Sequence, residues 1–310
     1  MSAHASQPRI GIDLGGSKIA GVALNARDET VAEIRRDSPR DDYEATLSAI
    51  VECVTALERQ AGGAELIGAG TVGIGTPGSF SPRTELMQGS NAVWLNGRPL
   101  SRDLEARLGR PVRMENDANC FALSEASDGS AAGAQTVFGV IVGTGCGGGI
   151  IRNRTPLHGP NRIGGEWGHV PLPWAEPDEL PGPECWCGRH GCMETWISGS
   201  GLERDHHVVT GKRLSGPEIV AAAATDPDSQ ATLDRHVSRM ARGLAMIVNI
   251  IDPDVIVLGG GLSQLDHLYD RLPDAMKPYI FAADPVVDLR PPRFGDTSGV
   301  RGAARLWDHR

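Results

Sequence analysis

The chain has 310 residues, of which 40% are hydrophobic and 22% are charged, as expected for a globular protein of about two domains. Its formal net charge of −9 argues against a broad surface for the phosphates of nucleic acid. No apolar run approaches the roughly 18–20 residues of a membrane-spanning helix, and the N-terminus lacks the apolar core of a signal peptide. The six cysteines do not resemble a secreted disulfide framework, so we expect a cytoplasmic protein without membrane or nucleic-acid partners.

The first part of the chain predicts a hairpin followed by alternating helices and strands. Apolar runs flank a Gly-Gly turn in the opening segment, which predicts a β-hairpin in RIGIDLGGSKIAGVALN. Helical spacing of apolar residues predicts a helix over about 42–61, and Ser101 is expected to cap another over about 102–108. A strand enters a loop in GTVGIGTPGS, and a strand, a polar turn and a helix follow in PVRMENDANCFALSEA.

A second hairpin repeats the plan of the first about 130 residues later, in TVFGVIVGTGCGGGIIRN. Two copies of one strand–loop–strand unit predict a duplicated architecture whose halves clamp one ligand. The Gly-, Pro- and Trp-rich stretch over 152–200 is typical of a functional insertion. A helix over about 229–251, a buried strand running into LGGG and a helix in SGVRGAARLW complete the pattern.

We expect two domains that abut closely, since no low-complexity segment or long linker separates them. The smaller N-terminal domain is predicted to comprise 9–120 together with about 297–310, because the last helix is expected to return to it. The larger C-terminal domain is predicted to comprise 121–296.

The first hairpin turn carries groups that suit a phosphate. It offers backbone amides, a hydroxyl and an ammonium group from Gly15, Gly16, Ser17 and Lys18. Asp13, at the end of the preceding strand, could hold Mg²⁺ directly or through water. The alternative is an ordinary Gly-Gly hairpin with a solvated lysine.

Two further glycine clusters also follow apolar strands. Gly143, Gly145 and Gly148 match the dinucleotide-binding spacing, but no helix follows them, so we favour a second phosphate-contacting hairpin with Thr144 as a donor. Gly259–Gly261 could let an adenine or ribose lie against bare backbone, although a tight strand-to-helix turn would equally explain them. None of the clusters has the P-loop pattern.

The segment ENDAN places Asn116 and Asp117 between a strand and a helix. Asn and Asp are ordinary helix caps, which is the structural interpretation. The functional interpretation is that Asp117 accepts the proton of a sugar hydroxyl as it attacks the γ-phosphate. A helix N-terminus would keep that carboxylate ionised, so one residue could serve both purposes.

Three cysteines within eight positions, Cys185, Cys187 and Cys192, provide soft ligands in C-x-C-x₄-C spacing. With His169, which lies 16 residues before the first of them, they form a Cys₃His set typical of structural zinc. His190 is the alternative fourth ligand, but its place inside the cluster leaves little room to surround the metal. A redox pair would favour C-x-x-C beside a βαβ pattern, which is missing here. Free thiols are the remaining alternative.

Two carboxylates flank the predicted zinc site. Glu166 precedes His169 by three residues, and Glu194 follows Cys192 by two. A zinc ion holding both segments would bring the carboxylates together, and carboxylates accept hydrogen bonds from the hydroxyls of a polyol. The metal would then organise a pocket and would not act as a Lewis acid, because four protein ligands leave no open position.

These motifs occur in the order found in the ROK family of bacterial sugar kinases and sugar-responsive repressors, which the chain resembles over about residues 9–306. They are IDLGGSK, NDAN, VGTGCGGG, GEWGH, CWCGRHGCMETWISG and LGGG. The combination of GE-x-GH with C-x-CG-x-x-GC-x-E is highly specific. Within the family, GTPGSFSP, NAVWLNGRPL, GEWGHVPLPW and TSGVRGAARLW look most similar to the bacterial fructokinase, or manno(fructo)kinase, branch.

The resemblance implies an α/β protein with the duplicated, two-lobed actin-like ATPase fold, which is ribonuclease H-like, and a small zinc-bearing insertion within 166–194. It implies Asp117 as the catalytic base. The implied sugar contacts are Asn116, Asp117, Glu166, His169 and Glu194, with Asn91 and Asn96 also within reach. The implied nucleotide contacts are Asp13, Gly15, Gly16, Ser17, Lys18, Gly143, Thr144, Gly145, Gly259, Gly260 and Gly261. His169, Cys185, Cys187 and Cys192 would hold structural Zn²⁺.

We therefore expect a kinase that uses ATP and Mg²⁺ to phosphorylate fructose at its 6-hydroxyl. Glucose, mannose and N-acetylglucosamine are the alternative substrates, and a homodimer is compatible with this interpretation. A non-catalytic sugar sensor is the alternative of another class, but it would not need Asp117 or the Asp13 and Lys18 loop. Only about nine residues precede the first predicted strand, which argues against the helix-turn-helix of the repressors. The segment between His169 and Cys185 is longer than in many relatives.

Overall fold

The computed structural model of the protein describes residues 7–308. Its strands are β1 Arg9–Leu14, β2 Lys18–Leu24, β3 Thr30–Asp37, β4 Thr71–Thr76, β5 Ser79–Phe80, β6 Met87–Gln88, β7 Val112–Asn116, β8 Thr136–Val142, β9 Cys146–Arg152, β10 Thr155–Pro156, β11 Val255–Gly259 and β12 Leu289–Arg290. Its α-helices are α1 Tyr43–Gly62, α2 Leu100–Leu108, α3 Asp117–Ser127, α4 Glu194–Ile197, α5 Gly199–Thr210, α6 Gly216–Ala222, α7 Pro227–Ile251, α8 Asp266–Met276 and α9 Ser298–Ala304. Within the described range, no helix combines the length and apolar character needed to cross a membrane.

The chain divides into two compact units, each with its own sheet. The first contains the described residues up to Ser127, with 154–164 and the segment from Asp296. The second contains 128–153 and 165–295. The structure keeps α3 whole in the first unit, because this helix packs against α9 so closely that Gly302 has no room for a Cβ beside its backbone. The boundary therefore falls after Ser127, whereas the sequence had suggested a boundary within this helix.

The sheet of the first unit has the order β3-β2-β1-β4-β7. The first three strands are antiparallel neighbours, and β4 and β7 run parallel to β1. Parallel pairing aligns Asp13 with Gly75 and Thr76 with Asn116, so β1, β4 and β7 end at one edge of the sheet. In parallel sheets, the carboxyl ends of the strands are where ligands bind.

Within the second unit, four strands of the second sheet repeat this plan in the order β9-β8-β11-β12. Antiparallel β8 and β9 form the predicted second hairpin, and β11 runs parallel to β8 with Gly259 beside Ile141. Helix α7 packs its buried face on this sheet, including Met240 and Leu244. The two units thus share one strand plan, and both sheets are mixed within an α/β fold.

Helix α9 lies so close to the first sheet that no side chain fits between them at two positions. A Cβ added to Gly11 would lie 2.1 Å from the carbonyl oxygen of Val300, and one added to Gly73 would lie 1.9 Å from that of Ala303. Only glycine is compatible with such contacts. The two glycines therefore allow the C-terminal helix to lie on strands near the start of the chain.

Side chains cap the starts of two long helices, whereas the predicted cap at Ser101 is not found. Asp42 accepts a hydrogen bond from the Ala45 amide at the start of α1, and Asp226 caps α7 in the same way. Ser101 lies inside α2, whose first residue is Leu100 and whose cap position, Pro99, provides no side-chain hydrogen bond. The Ser101 cap was therefore wrong, because the helix begins earlier, directly after a proline.

Candidate functional site

Asp13 lies half-buried at the edge of the first sheet where the parallel strands end. Burial raises its pKa to about 6, and the nearby Arg35 only partly offsets that effect. A carboxylate whose negative charge is poorly compensated is suited to binding a cation. Asp13 therefore fits the predicted role of holding Mg²⁺ beside a phosphate.

Two glycines leave space around this carboxylate. A Cβ added to Gly299, in the first turn of α9, would lie 3.5 Å from one Asp13 oxygen. A Cβ added to Gly75 would lie 3.6 Å from the other oxygen. Gly299 was not among the predicted site residues, since only the return of α9 to the first sheet brings it there.

The turn between β1 and β2 presents the predicted phosphate-binding groups. The Gly15 amide donates to the Lys18 carbonyl over 2.9 Å, which closes the turn. Gly16, Ser17 and Lys18 are exposed, so their amides, hydroxyl and ammonium group face solvent at the strand ends. The arrangement can accept an anionic ligand.

Asn116 and Asp117 both accept a hydrogen bond at the start of α3. Asn116 ends β7, and its Oδ1 accepts the Ala118 amide over 2.9 Å, so Asn116 provides the cap of α3. Asp117 is the first residue of α3, and its Oδ1 accepts the same amide over 2.8 Å. The positive end of the helix dipole favours an ionised carboxylate at that position.

Glu115 supports this pair and was missed in the sequence. Its Oε1 accepts the Asn116 amide over 2.9 Å and the side-chain amide of Asn119 over 3.0 Å, while Oε2 contacts His158. Burial raises the pKa of Glu115, but the hydrogen bonds from His158, the Asn116 amide and Asn119, with the charge of His158, together outweigh it and lower the pKa overall. In the sequence, Glu115 could have been noticed as the first residue of the ENDAN segment.

Asn91 and Asn96, which were expected near the sugar, differ in what their side chains contact. Asn91 is exposed in the loop after β6. Asn96 uses its side chain on the loop itself, because Oδ1 accepts the Ser90 amide over 2.9 Å and Nδ2 donates to the Ser90 carbonyl over 2.8 Å. Asn96 therefore shapes the loop that presents Asn91.

Two of the glycine clusters meet in the second unit. A Cβ added to Gly143 would lie 4.0 Å from the Gly261 amide nitrogen, so the turn Gly143–Gly145 adjoins the loop Gly259–Gly261. Gly260 has φ 77° and lies against the carbonyl of Val142, an approach that only glycine permits. Thr144 is exposed at the tip of the turn. Bare backbone from two loops thus forms one surface.

The structure brings together the four predicted zinc ligands. The ligand atoms of His169, Cys185, Cys187 and Cys192 lie within 4.8 Å of one another. The Cys187 and Cys192 sulfurs are 3.6 Å apart, and the Cys185 sulfur is 3.5 Å from Nδ1 of His169. Tetrahedral zinc with Zn–S bonds of about 2.3 Å would place its sulfurs about 3.8 Å apart, so the group fits that ion. His190 is exposed and is outside this group.

The two flanking carboxylates lie near this cluster. Glu194 begins α4, where Oε2 accepts the Cys146 amide over 2.9 Å and Oε1 accepts the indole N–H of Trp186 over 2.7 Å. Glu166 has an exposed side chain, yet the surrounding protein removes enough water to raise its pKa. His169 lowers that pKa and Glu194 raises it, which shows that these three groups share one electrostatic environment.

The chain is similar to known proteins over nearly its whole length. A model of the ROK family matches residues 9–310. The chain is 38% identical over 301 residues to the N-acetyl-D-glucosamine kinase of Shigella boydii serotype 4 (strain Sb227), covering 96% of this chain and 98% of that protein.

Solved structures that are similar to this chain include two ROK family proteins. The ROK hexokinase of Thermus thermophilus is 32% identical, with a TM-score of 0.83 and 96% of both chains covered. A ROK glucokinase of Streptomyces griseus, solved with glucose and AMPPNP, is 26% identical, with a TM-score of 0.77 and 96% of this chain and 98% of that chain covered. The chain therefore belongs to the ROK family, as the order of its motifs predicted.

Proposed function

We propose that this protein is a sugar kinase that transfers a phosphoryl group from ATP to N-acetyl-D-glucosamine. The observation that carries the proposal is the 38% identity, across 96% of the chain, to an N-acetyl-D-glucosamine kinase. A second such kinase, from Haemophilus influenzae, is also 38% identical. These relatives favour the alternative substrate of the sequence analysis over fructose, which they do not support.

Fructose was expected from the resemblance of four short stretches, such as NAVWLNGRPL, to the fructokinase branch. Those stretches form loops and helix starts, as Asn96 illustrates by binding the Ser90 backbone. Sequence similarity in these stretches indicates that the loops have similar backbones. It does not indicate which sugar ring a loop contacts. Glucose is the competing substrate, because the Streptomyces griseus relative was solved with glucose.

The mechanism follows from the position of Asp117. This carboxylate, at the first position of α3, is proposed to accept the proton of the sugar hydroxyl as the hydroxyl oxygen attacks the γ-phosphorus of ATP. The helix dipole favours the ionised form of this carboxylate, and Asn116 shares the Ala118 amide with it at the start of the helix.

Each of the two hairpin turns is proposed to bind phosphate. The turn from Gly15 to Lys18 provides amides and a cation, and Thr144 provides a hydroxyl at the tip of the second turn. Asp13 would hold Mg²⁺, which neutralises developing charge on the phosphates when bound. The bare loop Gly259–Gly261 suits the nucleoside. These features are consistent with the actin-like arrangement that the resemblance implied.

Sugar binding is proposed to involve Glu166, His169, Glu194, Asn91, Asn96 and Asn116. In the zinc-loaded protein, Nδ1 of His169 would face the metal with the three cysteines, which leaves Nε2 for a sugar hydroxyl. The metal would be structural and would hold the segments that carry Glu166 and Glu194.

The proposal is tested by coupling ADP release to a spectroscopic assay with N-acetyl-D-glucosamine, glucose, mannose and fructose. We expect kcat/KM for N-acetyl-D-glucosamine to exceed the others by at least about tenfold, which corresponds to roughly one additional hydrogen bond. A preference for fructose or glucose would overturn the substrate assignment. Sugar binding without ADP release would instead indicate a non-catalytic sensor.

A further inference from the structure

Trp186 is an exposed aromatic residue on a rigid turn between two of the proposed zinc ligands. It is 63% exposed, whereas its neighbour Cys185 is 2% exposed. The turn is closed by hydrogen bonds from the Cys185 amide to the Arg189 carbonyl over 2.8 Å and from the Gly188 amide to the Cys185 carbonyl over 2.9 Å. The backbone therefore directs the sulfur inward and the indole outward.

The indole contacts two residues of the proposed sugar site. Its N–H donates to Oε1 of Glu194 over 2.7 Å. Its ring lies edge-on to that of His169, with centroids 4.9 Å apart and planes at 86°. Such a perpendicular arrangement is favourable for aromatic rings. Trp186 is thus joined to both residues at once.

The contacts of Glu194 explain what this hydrogen bond provides. The Cys146 amide holds Oε2 over 2.9 Å, and Trp186 holds Oε1. A carboxylate has about four acceptor positions, so two donors fix its orientation and still leave positions for hydroxyls. Without Trp186, rotation about the last side-chain bond would meet resistance from the Cys146 amide alone.

We infer that Trp186 is a positioning and specificity residue of the sugar site. Its N–H orients Glu194 toward the sugar, and its exposed face provides a flat apolar surface against a C–H face of the ring. The inference rests on the proposed function, since it assigns Glu194 to the sugar. It adds a residue that neither the zinc ligands nor the predicted sugar contacts include.

The test compares the full-length, zinc-loaded wild type with W186F, which keeps an aromatic ring and removes the donor. We expect KM for N-acetyl-D-glucosamine to rise about tenfold, since a hydrogen bond to a charged group is lost. Because Glu194 does not contact the reacting atoms in the proposed mechanism, kcat should stay within about threefold and KM for ATP should not change. Quenching of tryptophan fluorescence by the sugar should disappear.

The matched control is W174F, since Trp174 is another partly exposed tryptophan of the second unit and packs on Tyr279. Its KM and sugar-dependent fluorescence should equal those of the wild type. Zinc content measured on all three proteins verifies that the site stays loaded. Unchanged KM and undiminished quenching in W186F would overturn the inference. If the wild type released no ADP with any sugar but W186F still lost the quenching, the kinase proposal would fail and the inference would stand.

Discussion

At the scale of single residues, the structure shows which of two adjacent polar residues precedes α3 and which begins it. Asn116 and Asp117 are adjacent and chemically similar, and the sequence pattern fitted either as a cap. In the structure, the Asn116 carbonyl oxygen lies in the capping position and Asp117 is the first helical residue. Both side chains accept the Ala118 amide, and the charged one is proposed to take up the proton.

We predict that Asp117→Asn lowers kcat by about 10²- to 10⁴-fold, as expected when a general base is removed. Binding of sugar and ATP should change by no more than a few fold, because the amide occupies the same volume. Single-turnover kinetics and calorimetric titration measure the two effects separately.

The control for that variant is Asp266→Asn. Asp266 is the first residue of α8 and is exposed, so this change removes the same charge from an equivalent helix position. It should retain wild-type turnover. An Asp117→Asn protein with turnover within tenfold of the wild type would contradict the base assignment.

At the scale of elements, the long segment between His169 and Cys185 is anchored to α7 by buried charges. Oε1 of Glu179 accepts Nε of Arg239 over 2.8 Å, and Oε2 accepts Nη1 of Arg242 over 2.7 Å. Arg239 also donates to Asp205 of α5 over 2.7 Å. The two arginines are three residues apart and so lie on one face of the helix. This network fixes the course of a segment that the sequence left undefined.

We predict that Glu179→Gln lowers the free energy of unfolding by about 3–5 kcal/mol, because buried Arg242 loses its carboxylate partner and buried Arg239 keeps only Asp205. Urea unfolding at neutral pH measures this change. Asp178→Asn, an exposed neighbour in the same segment, is the control and should stay within about 0.5 kcal/mol of the wild type.

The same carboxylate gives a pH dependence with a defined sign. Burial would raise the pKa of Glu179, but hydrogen bonds from Arg242 and Arg239 outweigh it and lower the pKa from its ordinary 4.5 to about 2. The stabilisation is therefore complete above the unfolded-state pKa and is lost as the pH falls from about 4.5 to about 2. The Glu179→Gln protein should show a flatter loss of stability across that window, and equal slopes would contradict the prediction.

At the scale of the whole molecule, the sequence predicted elements and motifs within short stretches but did not predict contacts between distant segments. Both hairpins, α1, α7 and the cluster of His169 with the three cysteines follow from spacing within short stretches. Strand β3 and helices α5, α6 and α8 were not predicted, since their apolar residues are few and their burial depends on neighbours. The contacts from Cys146 to Glu194 and from Glu179 to Arg242 join segments that only tertiary structure aligns. The expectation of fructose came from the resemblance of short stretches, which contains no information on such contacts.

We predict that a chelator that removes the proposed zinc ion leaves the protein folded and weakens sugar binding by at least about tenfold. Each unit has its own apolar core, with Ile12 and Ile74 in the first and Met240 and Leu244 in the second, so global folding does not depend on the zinc cluster. ATP-analogue binding should change less, since the proposed nucleotide loops are built from backbone between strands. Calorimetric titration with each ligand measures both, and sugar affinity that does not change after complete zinc removal would contradict the proposed role of the metal.

The close approach of α9 to the first sheet has a consequence for the order of assembly during synthesis. The glycines that receive it, Gly11 and Gly73, leave the ribosome long before Val300 and Ala303 do. Until then, the sheet face around these glycines has no helix to cover it. The second unit, built from residues 128–153 and 165–295, is complete earlier. Domains generally fold as units while they are made, so here the unit that begins the chain is the last to close.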